Sequence, residues 1–234
     1  MRIATGRACH GAPFPCETRL VHDPASVDPE DPIAAERSQW LRLVGDDAVL
    51  SALVRRHRER HRRYHTLDHV LDVVHHVGEL MAVEPVDDVG AVIAAAWFHD
   101  AVYEPRSSAN ERASARLARR DLVKLGWSDD RADIVGAMIE GTSHHTDPAD
   151  VGTAVLFDSD LAILGTQPET YAAYVDDVRA EYSHVDDESW RTGRADVLSD
   201  FIARERIYVT TTGFERWEST ARKDMSSELD TLRR

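Results

Sequence analysis

One apolar segment constrains the fold of this chain more than any other stretch. It reads VGAVIAAAWF, from Val89 to Phe98, and His99 and Asp100 follow it directly. The segment is too short to cross a membrane, and its pattern predicts an apolar helix over residues 89–103. Because a buried carboxylate is costly unless a partner compensates its charge, we expect such a partner close to His99 and Asp100.

The sequence after residue 31 predicts one helix after another and no convincing strand. Residues that commonly open helices precede these segments; they are Asp31 with Pro32, Asp46, Thr66, Asp88, Ser107 or Ser108, Ser128, Pro148, Pro168 and Asp186. The connections are short, as in a single helical domain. We therefore expect an all-α helical bundle over residues 32–234, preceded by an irregular N-terminal arm over residues 1–31.

Composition narrows the class of protein. The net charge of −14 repels the phosphates of nucleic acids, so we expect no nucleic-acid partner. Residues 1–16 contain no apolar core of the kind found in secretory signals, so we expect a cytoplasmic protein without membrane contact. Cys9 and Cys16 both lie in the arm, where a reduced pair is favoured over a disulfide.

Histidines and carboxylates recur at apolar helical positions. His65 and His69 are four residues apart, which places two side chains on one face of a helix. A divalent cation would supply the positive charge that buried carboxylates need, and it would bind neutral imidazole. We therefore predict a metal site whose ligands are His69, His99, Asp100 and Asp160. One or two ions of Mn, Mg, Zn, Fe or Co suit this donor set.

Other histidines have simpler interpretations, because a single histidine is more often hydrogen-bonded or solvated than bound to a metal. His75 and His76 are adjacent, and we expect them not to be ligands. His57 and His61 lie in the stretch RRHRERHRR, which we interpret as a solvated basic face.

Several stretches of the chain together resemble a known family. They are RRYHTLDHV (62–70), WFHDAVYEP (97–105), NERASA (110–115), TSHH (142–145), FDSDLAILG (157–165), YAAYVDDVRAEY (171–182), the pair Gly193-Arg194 and the arginine-rich C-terminal helix. With its His, His-Asp and Asp set, the chain resembles the HD-domain superfamily of metal-dependent phosphohydrolases. A small bacterial branch of predicted HD-superfamily hydrolases is the closer likeness, over residues 33–232. The resemblance implies an HD-like helical domain that binds a divalent metal.

The segment YHTLDH, residues 64–69, is also similar to the cyclic-nucleotide phosphodiesterases, with Thr66 where those enzymes have Asn. This similarity implies that His65 gives a proton to the leaving oxygen. It also implies that His69 is a metal ligand, together with the His-Asp pair and the later aspartate.

In such an enzyme a metal-activated water attacks phosphorus, and the ion neutralises charge on the phosphoryl oxygens. A nearby carboxylate would accept or donate a proton. We favour Glu111 over Glu104 for this role, because Asn110-Glu111 lies in the family-like stretch.

An acidic chain needs local arginines to hold an anionic substrate, and guanidinium binds phosphate through two hydrogen bonds. Arg62, Arg179 and Arg194 lie in or beside family-like stretches and are predicted to bind substrate. His144 or His145 could bind phosphate or a second metal, or complement a helix dipole. We take His145 as the substrate-binding candidate.

The favoured function is therefore a metal-dependent phosphohydrolase that acts on a small phosphorylated molecule, such as a nucleotide. One alternative is a di-iron enzyme that activates oxygen, with an added histidine from His144-His145. Another is a non-catalytic ligand-binding protein that keeps a metal for structure. Assembly into a homo-oligomer stays open.

Overall fold

The computed structural model of this protein describes residues 31–234. Over that range the chain forms ten α-helices, a short 3₁₀ helix and no strand, which confirms the all-α fold class. The elements are α1 Ala34–Leu43, α2 Asp47–His57, α3 Leu67–Met81, α4 Val89–Phe98, α5 Asn110–Lys124, α6 Asp129–Gly141, α7 Val151–Asp160, the 3₁₀ helix Leu161–Gly165, α8 Pro168–Glu181, α9 Asp187–Ala203 and α10 Thr211–Leu232. Cys9, Cys16 and residues 1–30 of the arm lie outside the described residues.

α4 is the buried centre of the bundle. Its residues from Gly90 to Phe98 are all buried, and the helix packs against α1, α3, α5, α6 and α7. A helix that is apolar on every side is stable only where neighbours cover all of it. Near its end, the ring of Trp97 lies edge-on to that of Trp40 in α1, with 6.3 Å between centroids. Like the other described helices, α4 is not long and apolar enough to cross a membrane.

Most helix starts lie at the residues that the sequence indicates. The side chains of Asp46, Asp88, Ser128 and Asp186 each accept a backbone N–H from the first turn of the next helix. Pro168 is the first residue of α8, where its missing N–H leaves no bond unmade. These starts were predictable because the capping signals are local.

Other starts differ from the prediction. α1 begins at Ala34 instead of Pro32, because the Asp31 carboxylate accepts the N–H of Ile33 in a turn before the helix. Thr66 precedes α3, but its side chain makes no capping hydrogen bond. Ser107 closes a turn before α5 and does not cap that helix.

One helix ends earlier than predicted, and both α4 and α7 end at or next to residues of the predicted metal site. The predicted helix over residues 89–103 ends at Phe98, and the Arg62 guanidinium binds the carbonyl oxygen of Asp100 at 2.8 Å. α7 ends at Asp160, where the chain tightens into the 3₁₀ helix. Arg62, which is distant in the sequence, thus satisfies a carbonyl group just after the end of α4.

α7 is joined to the start of α10 by a buried carboxylate. Asp158 accepts the N–H groups of Val209 and Thr210, each at 2.8 Å, and the Thr210 hydroxyl at 2.7 Å. Burial raises the pKa of Asp158, although the hydrogen bonds oppose that shift. This carboxylate is therefore occupied by the backbone and fixes the helix that ends in Asp160.

The interpretation of His57 as part of a solvated basic face is wrong. His57 is fully buried at the end of α2, and its Nε2–H donates to the carbonyl oxygen of Trp97 at 3.1 Å. Burial lowers the pKa of His57 to about 3, so the ring is neutral. His61 is exposed, as expected.

Candidate metal centre

Four side chains meet where α3 begins and where α4 and α7 end. His69 lies in the first turn of α3, His99 and Asp100 follow α4, and Asp160 is the last residue of α7. His69 Nε2 lies 3.2 Å from both His99 Nε2 and Asp160 Oδ1. Asp100 Oδ2 lies 3.2 Å from His99 Nε2 and 3.5 Å from His69 Nε2. We call these four residues the metal cluster.

The spacing inside the metal cluster suits a metal ion. Ligand bonds of about 2.1 Å put neighbouring ligand atoms about 3.0–3.4 Å apart around one ion. The Nδ1–H of His99 donates to the carbonyl oxygen of Ala96 at 2.8 Å, which leaves the lone pair of His99 Nε2 free to bind a metal. His69, His99 and Asp160 thus form a group that could hold a metal ion, and the donor types do not select one metal.

Charge at the metal cluster also favours a cation. Burial raises the pKa values of Asp100 and Asp160, but the facing histidines outweigh burial and hold both values well below normal. Burial lowers the pKa values of His69 and His99, but the two carboxylates outweigh it and raise both. Both carboxylates also lie at helix C-terminal ends, where the helix dipole is negative. The ionised carboxylates therefore attract positive charge to this point.

His65 lies outside the metal cluster and has a different setting. Its Nδ1–H donates to Glu181 Oε2 at 2.6 Å, and its ring stacks on Tyr103 with 4.2 Å between centroids. The ring of His69, by contrast, is buried and lies 5.8 Å from that of His65. The structure thus brings His69 to the metal cluster and leaves His65 beside it, with its Nε2 without a hydrogen-bond partner among the described residues.

Glu181, which the sequence patterns did not single out, fixes the position of His65. Its Oε1 accepts the successive backbone N–H groups of Arg63, Tyr64 and His65 at 2.7, 3.0 and 3.1 Å. Its Oε2 accepts the Tyr103 hydroxyl at 2.8 Å as well as the His65 ring. Burial raises the pKa of Glu181, but these hydrogen bonds lower it to about 2. Glu181 is therefore a buried anion that matches the proton on His65.

A signal for Glu181 was present in the sequence. Tyr171, Tyr174, Val178 and Glu181 follow each other at three- and four-residue steps, the spacing of one helix face. Tyr171, Val178 and Glu181 are buried in α8. A carboxylate on an otherwise apolar face indicates a buried partner, although the sequence does not say which one.

A cavity of about 660 Å³ lies beside the metal cluster. Asp160, His65 and His145 line it, and the remaining walls come from residues 142–146, the 3₁₀ helix, α8, α9 and α10. The volume lies in the usual range for small-molecule sites. Asp160 of the metal cluster and His65 therefore face the same space.

His145 contacts the metal cluster directly. Its Nε2–H donates to Asp160 Oδ2 at 2.8 Å, and its φ of 48° lies in the left-handed region, which is uncommon for a non-glycine residue. Arg204 from the end of α9 holds this conformation by donating to the carbonyl oxygens of His144 and His145 at 2.9 and 3.0 Å. His145 thus orients Asp160, while the exposed His144 lines the cavity.

The structure places the three arginines predicted to bind substrate in different surroundings. Arg62 is buried and donates to the carbonyl oxygens of His65 and Asp100 at 2.9 and 2.8 Å, away from the cavity. Arg179 donates to the carbonyl oxygen of Tyr182 at 2.8 Å and lies outside the cavity lining. Arg194 lines the cavity. Arg62 and Arg179 were predicted to bind substrate, but their guanidinium groups bind backbone carbonyl oxygens instead.

The two arginines that line the cavity differ in whether a carboxylate neutralises their charge. Arg194 donates to both carboxylate oxygens of Glu228, at 2.8 and 3.0 Å, and to the Tyr174 hydroxyl at 3.1 Å. Arg204, which the sequence patterns also did not single out, lies over the Phe201 ring at 4.0 Å from its centroid. Among the described residues, Arg204 makes no ion pair with a carboxylate, so it is the better candidate for binding an anion.

Neither predicted acid–base carboxylate reaches the metal cluster. Glu111 is half-buried in the first turn of α5 and makes no hydrogen bond or ion pair within the described part of the chain. Glu104 is exposed and accepts the N–H of Arg106 at 3.3 Å. Both lie outside the cavity lining, and Glu181 is the carboxylate that contacts His65.

A second group of ligand-type side chains lies on the surface of α3. His75, His76 and Glu79 have ligand atoms within 4.8 Å of one another. Glu79 forms an ion pair with Arg216 at 2.8 Å, so the Arg216 guanidinium already neutralises the carboxylate of this group. That His75 and His76 are not ligands stays a prediction.

No family model matches the chain, and no curated protein or solved structure matches it significantly.

Proposed function

We propose that this chain is a metal-dependent phosphohydrolase of the HD-domain type, acting on a phosphate ester of a small molecule. The observation that carries the proposal is that one cavity is lined both by Asp160 of a His/Asp cluster and by His65, a histidine bound to a carboxylate. The ordered His, His-Asp and Asp set that resembles the HD-domain superfamily supports the same function.

The ion would be held by His69, His99, Asp100 and Asp160. When bound, a divalent cation supplies Lewis-acid activation of water and neutralises charge on phosphoryl oxygens. The interactions of this chain determine how firmly the ligands are placed. His99 is oriented by Ala96, and Asp160 by His145.

His65 is the proton donor in this proposal. The reaction breaks the bond between phosphorus and the ester oxygen, and a water oxygen forms the new bond to phosphorus. His65 Nε2 gives a proton to the leaving oxygen, and the proton that the water loses restores His65. Glu181 stabilises the charged ring and holds it in place, because its carboxylate accepts the Nδ1–H at 2.6 Å. Arg204 is the candidate partner for a phosphoryl oxygen.

One observation favours a second candidate. His145 Nε2 lies 2.8 Å from the second oxygen of Asp160, so the two side chains could also bind a further ion. An enzyme with two irons that activates oxygen would use such a pair. Elemental analysis separates the two candidates, because the oxygen-activating enzyme requires two irons per chain.

The test of the proposed function measures metal content and turnover on the same preparations. Asp160→Asn removes a ligand charge, and we expect it to lose both stoichiometric metal and hydrolysis of phosphate esters. His65→Asn should keep the metal and lower kcat by about 10²–10³-fold. The matched control is His75→Asn, an exposed histidine on α3, which should change neither. Stoichiometric metal in Asp160→Asn would contradict the ligand assignment, and wild-type turnover in His65→Asn would contradict the proton donor.

A further inference from the structure

Part of the lining of the cavity beside the metal cluster is apolar, while hydroxyl, imidazole and charged side chains form the rest of it. Leu164 of the 3₁₀ helix, Leu198 of α9 and Met225 of α10 line the cavity and are buried, so they form its floor. Val197 and Phe201, four residues apart on α9, line it and are partly exposed, so they form part of its rim. Such a wall favours an apolar ligand group, because a polar group placed there would lose its hydrogen bonds to water.

The charged groups around the cavity limit how many phosphates it can hold. The guanidinium of Arg194 is already neutralised by Glu228 through two hydrogen bonds. Asp200 adds negative charge to the lining, whereas the charge of Asp160 would be compensated by the bound ion. Arg204 is then the one arginine of this lining, within residues 31–234, that has no carboxylate partner.

A polyphosphate would bring several negative charges to this surface, where Asp200 opposes them. A single phosphate needs only the metal cluster, His65 and Arg204. The apolar floor then contacts the rest of the molecule, and the cavity volume of about 660 Å³ is large enough for a small organic group.

We infer that the substrate is a monophosphate ester of an apolar alcohol, aryl or alkyl, and that nucleoside polyphosphates are excluded. This inference rests on the proposed function and names the substrate class for the same site. The phosphate would lie at the metal cluster, and the apolar group would lie against Leu164, Leu198 and Met225.

The first arm of the test compares turnover of phenyl phosphate, glycerol phosphate and ATP by the metal-loaded protein. We expect kcat/KM for phenyl phosphate to exceed that for glycerol phosphate at least tenfold, with no measurable cleavage of ATP. Burying part of one aromatic ring accounts for a factor of this size, and the binding arm below separates it from the better leaving group of phenyl phosphate. A preference for ATP, or equal values for phenyl and glycerol phosphate, would overturn the inference.

The second arm changes the wall. Val197→Asp places a charge on the rim at a half-exposed position, and we expect it to lower kcat/KM for phenyl phosphate at least tenfold and that for glycerol phosphate by less than threefold. The matched control, Val123→Asp, alters a similarly exposed valine on α5 outside the cavity and should leave both values unchanged. As a control, an unchanged inhibition constant for inorganic phosphate would show that the phosphate site of the Val197→Asp variant is intact. Equal losses for the two esters would contradict the apolar wall.

A third arm separates this inference from the proposed function. Binding of phenylphosphonate and methylphosphonate to the metal-loaded protein is measured by calorimetry, which needs no turnover. We expect phenylphosphonate to bind at least tenfold more tightly, and Val197→Asp to remove the difference. If no ester is cleaved but this preference holds, the proposed function fails and the ligand class stands. Equal binding of the two phosphonates overturns the ligand class whatever the turnover.

Discussion

At the scale of single residues, His65 and His69 differ because of their partners. They are four residues apart, but His65 precedes α3 and donates to Glu181, whereas His69 lies inside α3 and faces His99. A carboxylate on Nδ1 prepares a ring to hold and release a proton at Nε2. The buried His69 ring instead places its Nε2 beside His99 Nε2 and Asp160 Oδ1, which is the arrangement expected of a metal ligand. The spacing made both residues visible in the sequence, but only the folded chain shows that their partners differ.

Glu181 provides the residue-scale test of this division of roles. We expect Glu181→Gln to lower kcat about 10–100-fold, because the amide carries no charge to stabilise protonated His65. Metal content should stay at the wild-type level, since Glu181 does not touch the metal cluster. The measurement is kcat with metal analysis, and Asp177→Asn, an exposed carboxylate on the same helix, is the control. A large loss of metal in Glu181→Gln would show that it supports the cluster instead.

His57 gives a second residue-scale prediction, which concerns pH. Its pKa in the folded chain is about 3, below the ordinary value of about 6.5 for a free histidine. Between these values the unfolded chain binds a proton that the folded chain does not, so stability falls as pH falls. We expect His57→Gln to remove this contribution, so that the wild type loses about 2 kcal/mol more than the variant between pH 7.5 and pH 5.

Urea unfolding at the two pH values measures that difference. His61→Gln, an exposed histidine in the same stretch, should lose stability in parallel with the wild type. If His57→Gln also runs parallel to the wild type, His57 is not the group that titrates.

At the scale of elements, the starts of helices could be predicted more securely than the ends that form the site. Asp46, Asp88 and Ser128 cap the helices that they precede in the sequence. The end of α4 could not be predicted in this way, because the carbonyl oxygen of Asp100 is bound by Arg62, 38 positions earlier. Arg62 was predicted to bind substrate because its residue type fits phosphate, but the sequence does not show which arginines become buried.

Arg62 carries the element-scale prediction. Its guanidinium joins the stretch before α3 to the end of α4 through carbonyl oxygens of His65, Asp100 and Ala101. A lysine keeps the charge but cannot reach these separate acceptors at once. We expect Arg62→Lys to lower the free energy of unfolding by about 2–4 kcal/mol. Urea unfolding measures it against Arg60→Lys, an exposed neighbour that should cost under about 0.5 kcal/mol.

At the scale of the whole molecule, the all-α class was predictable because helix periodicity and caps recur along the chain. The metal cluster was predictable because each member lies in an apolar setting, although Glu181 and Arg204 were not identified. Their roles arise from contacts between α8 or the end of α9 and stretches far away in the sequence. The net charge of −14 indicated the kind of binding partner only broadly, because positively and negatively charged side chains both line the cavity.

A whole-molecule prediction concerns the charge at the metal cluster. A metal that binds only the folded chain stabilises it by about 2.7 kcal/mol at a free concentration about one hundred times its Kd. For a domain of this size we expect chelation to lower Tm by about 5–10 °C. Thermal unfolding of metal-loaded and chelator-treated protein measures the shift, and Asp160→Asn should show none. An identical Tm with and without chelator would mean that the cluster binds no ion in solution.

The contact between His65 and Glu181 spans 116 positions of the chain, and Asp160 follows His69 by 91 positions. During synthesis on the ribosome, the first ligands leave the exit tunnel well before the last one. A nascent chain therefore cannot bring Asp160 to His69 until α7 has been made, and His65 stays without its Glu181 partner until α8 has also been made. Premature termination before α8 would yield a fragment that retains His65 but lacks the carboxylate that positions it.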